Sequence, residues 1–153
     1  MIILREITEE NIRDCLKLDA GDGKKDFVAN SFAIAWLHRA SANPLIIYND
    51  NKPVGFLMLI IGSNSNDPKA CYLSRMMIDK NHRRKGYAKA AVLAAIEYIQ
   101  QNTACTLLWL SVSPENTAAK SLYENLGFAP TGKLHHGEVV MELMLRAKCR
   151  KKP

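Results

Sequence analysis

Arg83-Arg84-Lys85-Gly86-Tyr87-Ala88 runs three cations into a glycine and then into an apolar helical pattern. It can be read as a solvated charge run, a nucleic-acid patch or a cradle for phosphate, and its neighbours separate the three. Upstream, Cys71 to Ile78 reads as a strand. Downstream, 86–101 places Ala88, Ala91, Val92, Ala95 and Ile96 at helical spacing, which predicts an amphipathic helix with those residues inward. A loop between a strand and a helix aims backbone N–H groups outward, and the helix N-terminus adds a positive dipole. Gly86 lets backbone approach a ligand closely, and the small Ala88 keeps the first turn open. Arg83, Arg84 and Lys85 add charge at the rim, so the stretch suits a pyrophosphate. Neither G-x-x-x-x-G-K-[ST] nor G-x-G-x-x-G occurs, which argues against ATP and dinucleotides.

Working outward, 2–7 is a first strand, and Thr8 is expected to cap a helix over 9–18. Asn30 or Ser31 is expected to cap a second helix running to Ala40. Pro44–Tyr48 and Val54–Ile61 flank Asn49-Asp50-Asn51-Lys52 and read as a hairpin. Thr106–Val112 is a strand, and Ser113 with Pro114 is expected to open the next helix, closed near Gly127. Strands over 128–134 and 138–146 pair across His135-His136-Gly137. The order is β-α-α-β-β-β-α-β-α-β-β: an α/β fold with a mixed, mostly antiparallel sheet. One helix links the strands 71–78 and 106–112, so those two run parallel.

With 153 residues, 48% hydrophobic and mean hydropathy −0.14, the chain reads as one globular domain over 1–146 with a basic tail at 147–153. No apolar run approaches the ~20 residues of a membrane helix, and MIILREITEE has no basic segment ahead of a long apolar one. The expected location is cytoplasmic, with no membrane partner. Cys15, Cys71, Cys105 and Cys149 are far apart, with no C-x-x-C, so reduced thiols are expected and no metal. The net charge of +6 fits an anionic ligand or non-specific nucleic-acid affinity. A nucleic-acid binder would need aromatics interleaved with the cations, which are lacking, so no nucleic-acid partner is expected.

A second feature makes the cradle specific. Asn116 and Tyr123 stand seven apart, two helical turns, and share a helix face ahead of Gly127-Phe128. Arg83-x-x-Gly86-x-Ala88 after a strand, followed by Asn116-x(6)-Tyr123 and Gly-Phe, resembles the GCN5-related N-acetyltransferase (GNAT) family over nearly the whole chain. Phe27–Ser31, Met76–Asp79 and Gly137–Met141 resemble more narrowly its bacterial spermine/spermidine (diamine) acetyltransferase branch.

The resemblance implies an acetyl-CoA-dependent N-acetyltransferase in which an amine attacks directly in a ternary complex. It implies that splayed parallel strands admit pantetheine between them, and that backbone N–H groups at Met76, Met77 and Ile78 bind it and polarise the thioester carbonyl. Arg83, Arg84, Lys85, Gly86, Tyr87 and Ala88 would hold the phosphates. Asn116 would bond pantetheine or fix the helix start, and Tyr123 would be the general acid toward the leaving thiolate. Relatives carry a carboxylate where this chain has Ser111, or near Ser74, so no base residue is assigned. Glu138, Tyr72 and Asp26 are possible relay members. A polyamine acceptor would need carboxylates, and Asp19, Asp22, Asp26 and Glu138 are available. Aminoglycosides, amino acids and protein N-termini remain alternative acceptors, and a non-catalytic acyl-CoA sensor is the alternative to an enzyme. A homodimer stays open.

Overall fold

The computed structural model describes residues 1–62 and 67–146. In chain order the elements are β1 (Ile2–Glu6), α1 (Ile12–Leu16), α2 (Phe27–Leu37), β2 (Ala42–Asn49), β3 (Lys52–Ile61), β4 (Ala70–Ile78), a 3-10 turn (Lys80–His82), α3 (Tyr87–Asn102), β5 (Leu107–Val112), α4 (Thr117–Asn125), β6 (Ala129–His135) and β7 (Glu138–Met144). This is the predicted order. The seven strands run β1-β2-β3-β4-β5-β7-β6, and among the registered pairs only β4 and β5 are parallel. The basic tail lies outside the described residues. Among the described residues no helix is long and apolar enough to cross a membrane.

The chain forms two compact units, Met1–Ile60 with Leu73–Ala95, and Ile61–Tyr72 with Ile96–Pro153. In the first, β2 and β3 read as nearly continuous apolar runs, and Ile46, Ile47, Phe56, Leu57, Met58 and Leu59 have no exposed surface. Burial on that scale contributes about 2 kcal/mol per large side chain. Phe32 of α2 meets Phe56 edge-on at 6.0 Å. In the second unit, β5 alternates: Leu108, Leu110 and Val112 are buried, while Leu107, Trp109 and Ser111 are half-buried. The period of two gives this strand one core face and one face of mixed chemistry. The β4–β5 ladder covers Ala70, Cys71 and Tyr72 against Leu107, Leu108 and Trp109, a third of β4.

Helix starts depart from the sequence-based expectations. The segment after Thr8 forms turns, with Thr8 O accepting from Asn11 and Ile12, and α1 proper begins at Ile12. In α2, which begins at Phe27, Ser31 caps nothing: its hydroxyl donates to Phe27 O inside the helix at 2.7 Å. Ser113-Pro114 forms a turn before α4, and the cap is Asn116, whose Oδ1 accepts from Ala119 N at 3.1 Å. Such a bond satisfies one of the helix's orphan N–H groups, so the asparagine sets the start.

Candidate active site

In the first unit the motif loop is organised by Asp79, buried at the end of β4 with 7% exposure. Its Oδ1 accepts from Asn81 N at 2.9 Å, and its Oδ2 accepts from Asp19 N at 2.9 Å. Asp19 in turn accepts from Gly21 N at 2.8 Å and pairs with Lys80 at 3.0 Å. The Gly21 N–H, followed by the Lys80 ammonium, holds the Asp19 carboxyl below the usual range. These bonds join the loop after α1 to the loop before α3. Asp79 was not among the expected site residues. Its signal is local: an aspartate two before Asn81, the spacing of an Asx turn.

Arg83, Arg84, Lys85 and Gly86 are exposed, and α3 begins at Tyr87. Arg84 and Gly86 have left-handed backbone, φ 62° and 77°. Left-handed residues in a short turn fold successive N–H groups into a concavity that suits an anion. A Cβ on Gly86 would meet no atom within 4 Å, so packing does not require the glycine; its φ does. The fit to a phosphate therefore rests on the shape of the backbone together with Arg84 and Lys85. Arg83 departs from the expected rim position: its guanidinium donates to Ala20 O and crowds Gly21, where a Cβ would lie 2.9 Å from Nη2. Tyr87 is half-buried, and its hydroxyl accepts from Asn49 Nδ2 at 3.0 Å. Ala88 is half-buried on the first turn of α3.

Met77 is buried, and Met76 and Ile78 are half-buried. Asp79 N donates to Val54 O of β3 at 2.8 Å, and Met77 O lies against Gly55. Ala70 O accepts from Gly62 N, also at 2.8 Å, so groups at 70 and 79 both turn to β3; nine residues apart is an odd separation, and β4 takes up one extra residue against β3 between them. A cleft of about 280 Å³ in the first unit is lined by Gly23, Lys24, Asp26, Phe27, Asn30 and Arg75. Its walls carry both signs of charge. Arg75 is fixed there by Ser31 Oγ at 3.1 Å and by the Phe27 ring, 4.1 Å from its guanidinium carbon.

In the second unit Tyr123 is buried in α4, with its ring edge-on to Phe128 at 5.6 Å. Burial pushes the phenol up to about 12. It is therefore protonated at neutral pH. Asn116 spends its Oδ1 on the helix cap. Ser111 donates to Glu138 Oε1 at 3.0 Å, so a carboxylate from β7 reaches the β5 serine. Cys15, Cys71 and Cys105 are free and buried, and Cys149 lies outside the described residues. Burial raises the Cys15 and Cys71 thiols to about 12, which makes them poor nucleophiles. Among the described residues no group of three or more His, Cys, Asp and Glu is placed to hold a metal.

The family model described as "Acetyltransferase (GNAT) family" matches residues 6–128. The chain belongs to that family and is an N-acetyltransferase. It is 34% identical over 108 residues to the uncharacterized N-acetyltransferase YbbJ of Bacillus subtilis, covering 67% of this chain and 68% of that protein. It is 31% identical over 102 residues to the spermine/spermidine N(1)-acetyltransferase of the same species, covering 64% and 67%. Among solved structures, the aminoglycoside acetyltransferase AAC(6')-Ib with coenzyme A superposes with TM-score 0.75 at 18% identity, over 94% of this chain and 95% of that one. The spermidine N-acetyltransferase of Vibrio cholerae with CoA and spermine gives TM-score 0.71 at 18% identity, over 94% and 95%. These two likenesses concern the fold.

Proposed function

We propose that the chain moves the acetyl group of acetyl-CoA to a primary amine, with a polyamine such as spermidine or spermine as the acceptor. The observation that carries the donor side is the left-handed pair Arg84 and Gly86 opening α3, with open space at Gly86. The loop's N–H groups and the Arg84 and Lys85 side chains hold the phosphates. Backbone N–H groups of the Met76–Ile78 stretch bind the pantetheine arm and polarise the acetyl carbonyl. Acetyl-CoA supplies an activated acyl carbon and a thiolate leaving group. Residues 1–146 act as one catalytic domain.

Tyr123 keeps its proton at neutral pH, and its phenol is more than a thousandfold weaker an acid than a thiol of pKa about 8.5. It therefore acts by donating a hydrogen bond to the departing sulfur rather than by surrendering its proton outright. The stabilisation grows as negative charge grows there, which is what lowers a barrier. Asn116 can offer its amide N–H groups to the pantetheine while Oδ1 caps α4. A primary alkyl ammonium has a pKa of about 10, so only ~0.1% is neutral at pH 7, and the amine needs a proton acceptor. Glu138, held by Ser111, is the carboxylate best suited to that work, directly or through water.

The polyamine reading draws on the 31% identity to the Bacillus spermine/spermidine enzyme. A second reading, an amino acid acceptor, draws on the mixed-charge cleft of Lys24, Asp26 and Arg75, which suits a zwitterion. The test is turnover of acetyl-CoA against spermidine, spermine, an aminoglycoside and amino acids, with products identified by mass. The proposal expects an N-acetylated polyamine as the fastest product. Acetylated amino acids alone would favour the second reading, and no product from any amine would leave neither standing.

A further inference from the structure

We propose that the half-buried sheet face carrying Tyr72, Trp109, His135 and Glu138 in the second unit binds an alkylammonium group, the cationic end of the acceptor. The proposal rests on the amine-acetylating function above and adds the residues that recognise the amine.

Register brings these four together. Tyr72 of β4 stands opposite Trp109 of β5 in the parallel ladder. Trp109 pairs with Glu142 of β7, Ser111 with Val140, and Glu138 with His135 of β6. Paired residues share a face, and so do residues two apart on one strand, so all of these side chains rise on one side. The opposite side holds the buried Leu108, Leu110 and Met141.

The side chains make a wall with a charge at one end. The Tyr72 and Trp109 rings stack at 3.9 Å with 6° between their planes. His135 meets both edge-on, at 5.7 Å and 5.3 Å, and His136 stands 4.3 Å from His135. Glu138 is fixed by the Ser111 hydroxyl. The chain has 21 Lys and Arg against 15 Asp and Glu, yet among the described residues no basic group pairs with Glu138 or Glu142. A half-buried carboxylate left without a cation, beside aromatic rings, is what an alkylammonium ligand needs. The charge meets the carboxylate, the π faces attract the cation, and the methylenes lie on the rings. Successive same-face positions on a strand are ~7 Å apart, so an ammonium at Glu138 lays its chain toward Trp109. An anionic or neutral ligand would leave Glu138 unmatched.

The chain has two tryptophans, so Trp36→Phe, at a 69% exposed position on α2, leaves Trp109 as the sole reporter. Spermidine should change Trp109 fluorescence saturably at low salt, 1,4-butanediol should not, and Glu138→Gln should weaken the spermidine response at least tenfold. In turnover, Glu138→Gln and Trp109→Leu should raise the spermidine KM with little change in the KM for acetyl-CoA, and Glu138→Gln should also lower kcat, because the same carboxylate takes the amine's proton. No fluorescence response to millimolar spermidine, in protein that still binds CoA, would overturn the proposal. So would a wild-type spermidine KM in both variants, although the acetyltransferase reading would then stand. Spermidine binding at Trp109 without acetylation of any amine would uphold the site and sink the function it was tied to.

Discussion

The loop Arg83–Ala88 and the helix bearing Tyr123 serve the same proposed reaction by opposite means. The loop is exposed, and its proposed work falls to backbone, with two left-handed residues and open space at Gly86. Tyr123 is 8% exposed, and its proposed work falls to one side-chain hydroxyl in an apolar setting. Backbone donors keep their protonation at any ordinary pH and tolerate exposure. A side-chain donor acquires its character from burial, which here moves the phenol from 10.0 to about 12. The loop should thus govern binding, and the tyrosine turnover.

The sharpest way to break that division is Tyr123→Phe. Loss of a hydrogen-bond donor to charge that develops in the transition state should lower kcat and kcat/KM together, by about 10²- to 10³-fold. The ring and its contact with Phe128 survive, so acetyl-CoA affinity should hold within about twofold. Steady-state kinetics from pH 6 to 9, alongside calorimetry with CoA, measure both quantities. A wild-type rate would make Tyr123 a packing residue.

A smaller effect sharpens the burial half of the contrast. The folded-state pKa of Tyr123 is raised above its unfolded value, so its stabilising contribution is complete below pH 10 and is lost as pH rises toward 12. The unfolded chain releases that proton first and is favoured by doing so. The two pKa values differ by enough to supply roughly 3 kcal/mol at most. Cys15 and Cys71, raised from 9.0 to about 12, act in the same direction from pH 9 upward. Urea midpoints should therefore fall steeply above pH 9, and less steeply in Tyr123→Phe. Equal slopes would show that the hydroxyl is not buried in solution.

The same contrast explains what could be read from the sequence. Local patterns carried the order of elements, the hairpins and the parallel pair, because periodicity and turn residues lie within a few positions of each other. The His136-Gly137 turn, with φ 50° and 79°, is such a case. The helix starts were less legible. Ser31 and Ser113 have the right chemistry for caps, but side-chain competition inside α2 and Asn116 at α4 decided the outcome. The turn Asp79 makes with Asn81 is legible locally, but its bond to Asp19, 60 residues away in sequence, is not. By sequence the Arg83 guanidinium reads as rim charge, whereas in the fold it donates to Ala20 O, a partner that no local pattern reveals. The Tyr72-Trp109-His135-Glu138 face depends on the registers of three strand pairs, and a slip of one residue would turn those side chains into the core.

Thermal unfolding with and without acetyl-CoA, in wild type and Gly86→Asn, tests most directly whether the Arg83–Ala88 loop holds the donor. Asparagine accepts left-handed backbone better than most residues, so the variant should fold while its side chain fills the open space at Gly86. At about 100 times Kd, bound acetyl-CoA should add ~2.7 kcal/mol to the wild type, which raises Tm by several degrees. The account predicts that rise in the wild type and its loss in Gly86→Asn at the same acetyl-CoA concentration. An equal rise in both proteins, or none in the wild type at millimolar acetyl-CoA, would contradict it.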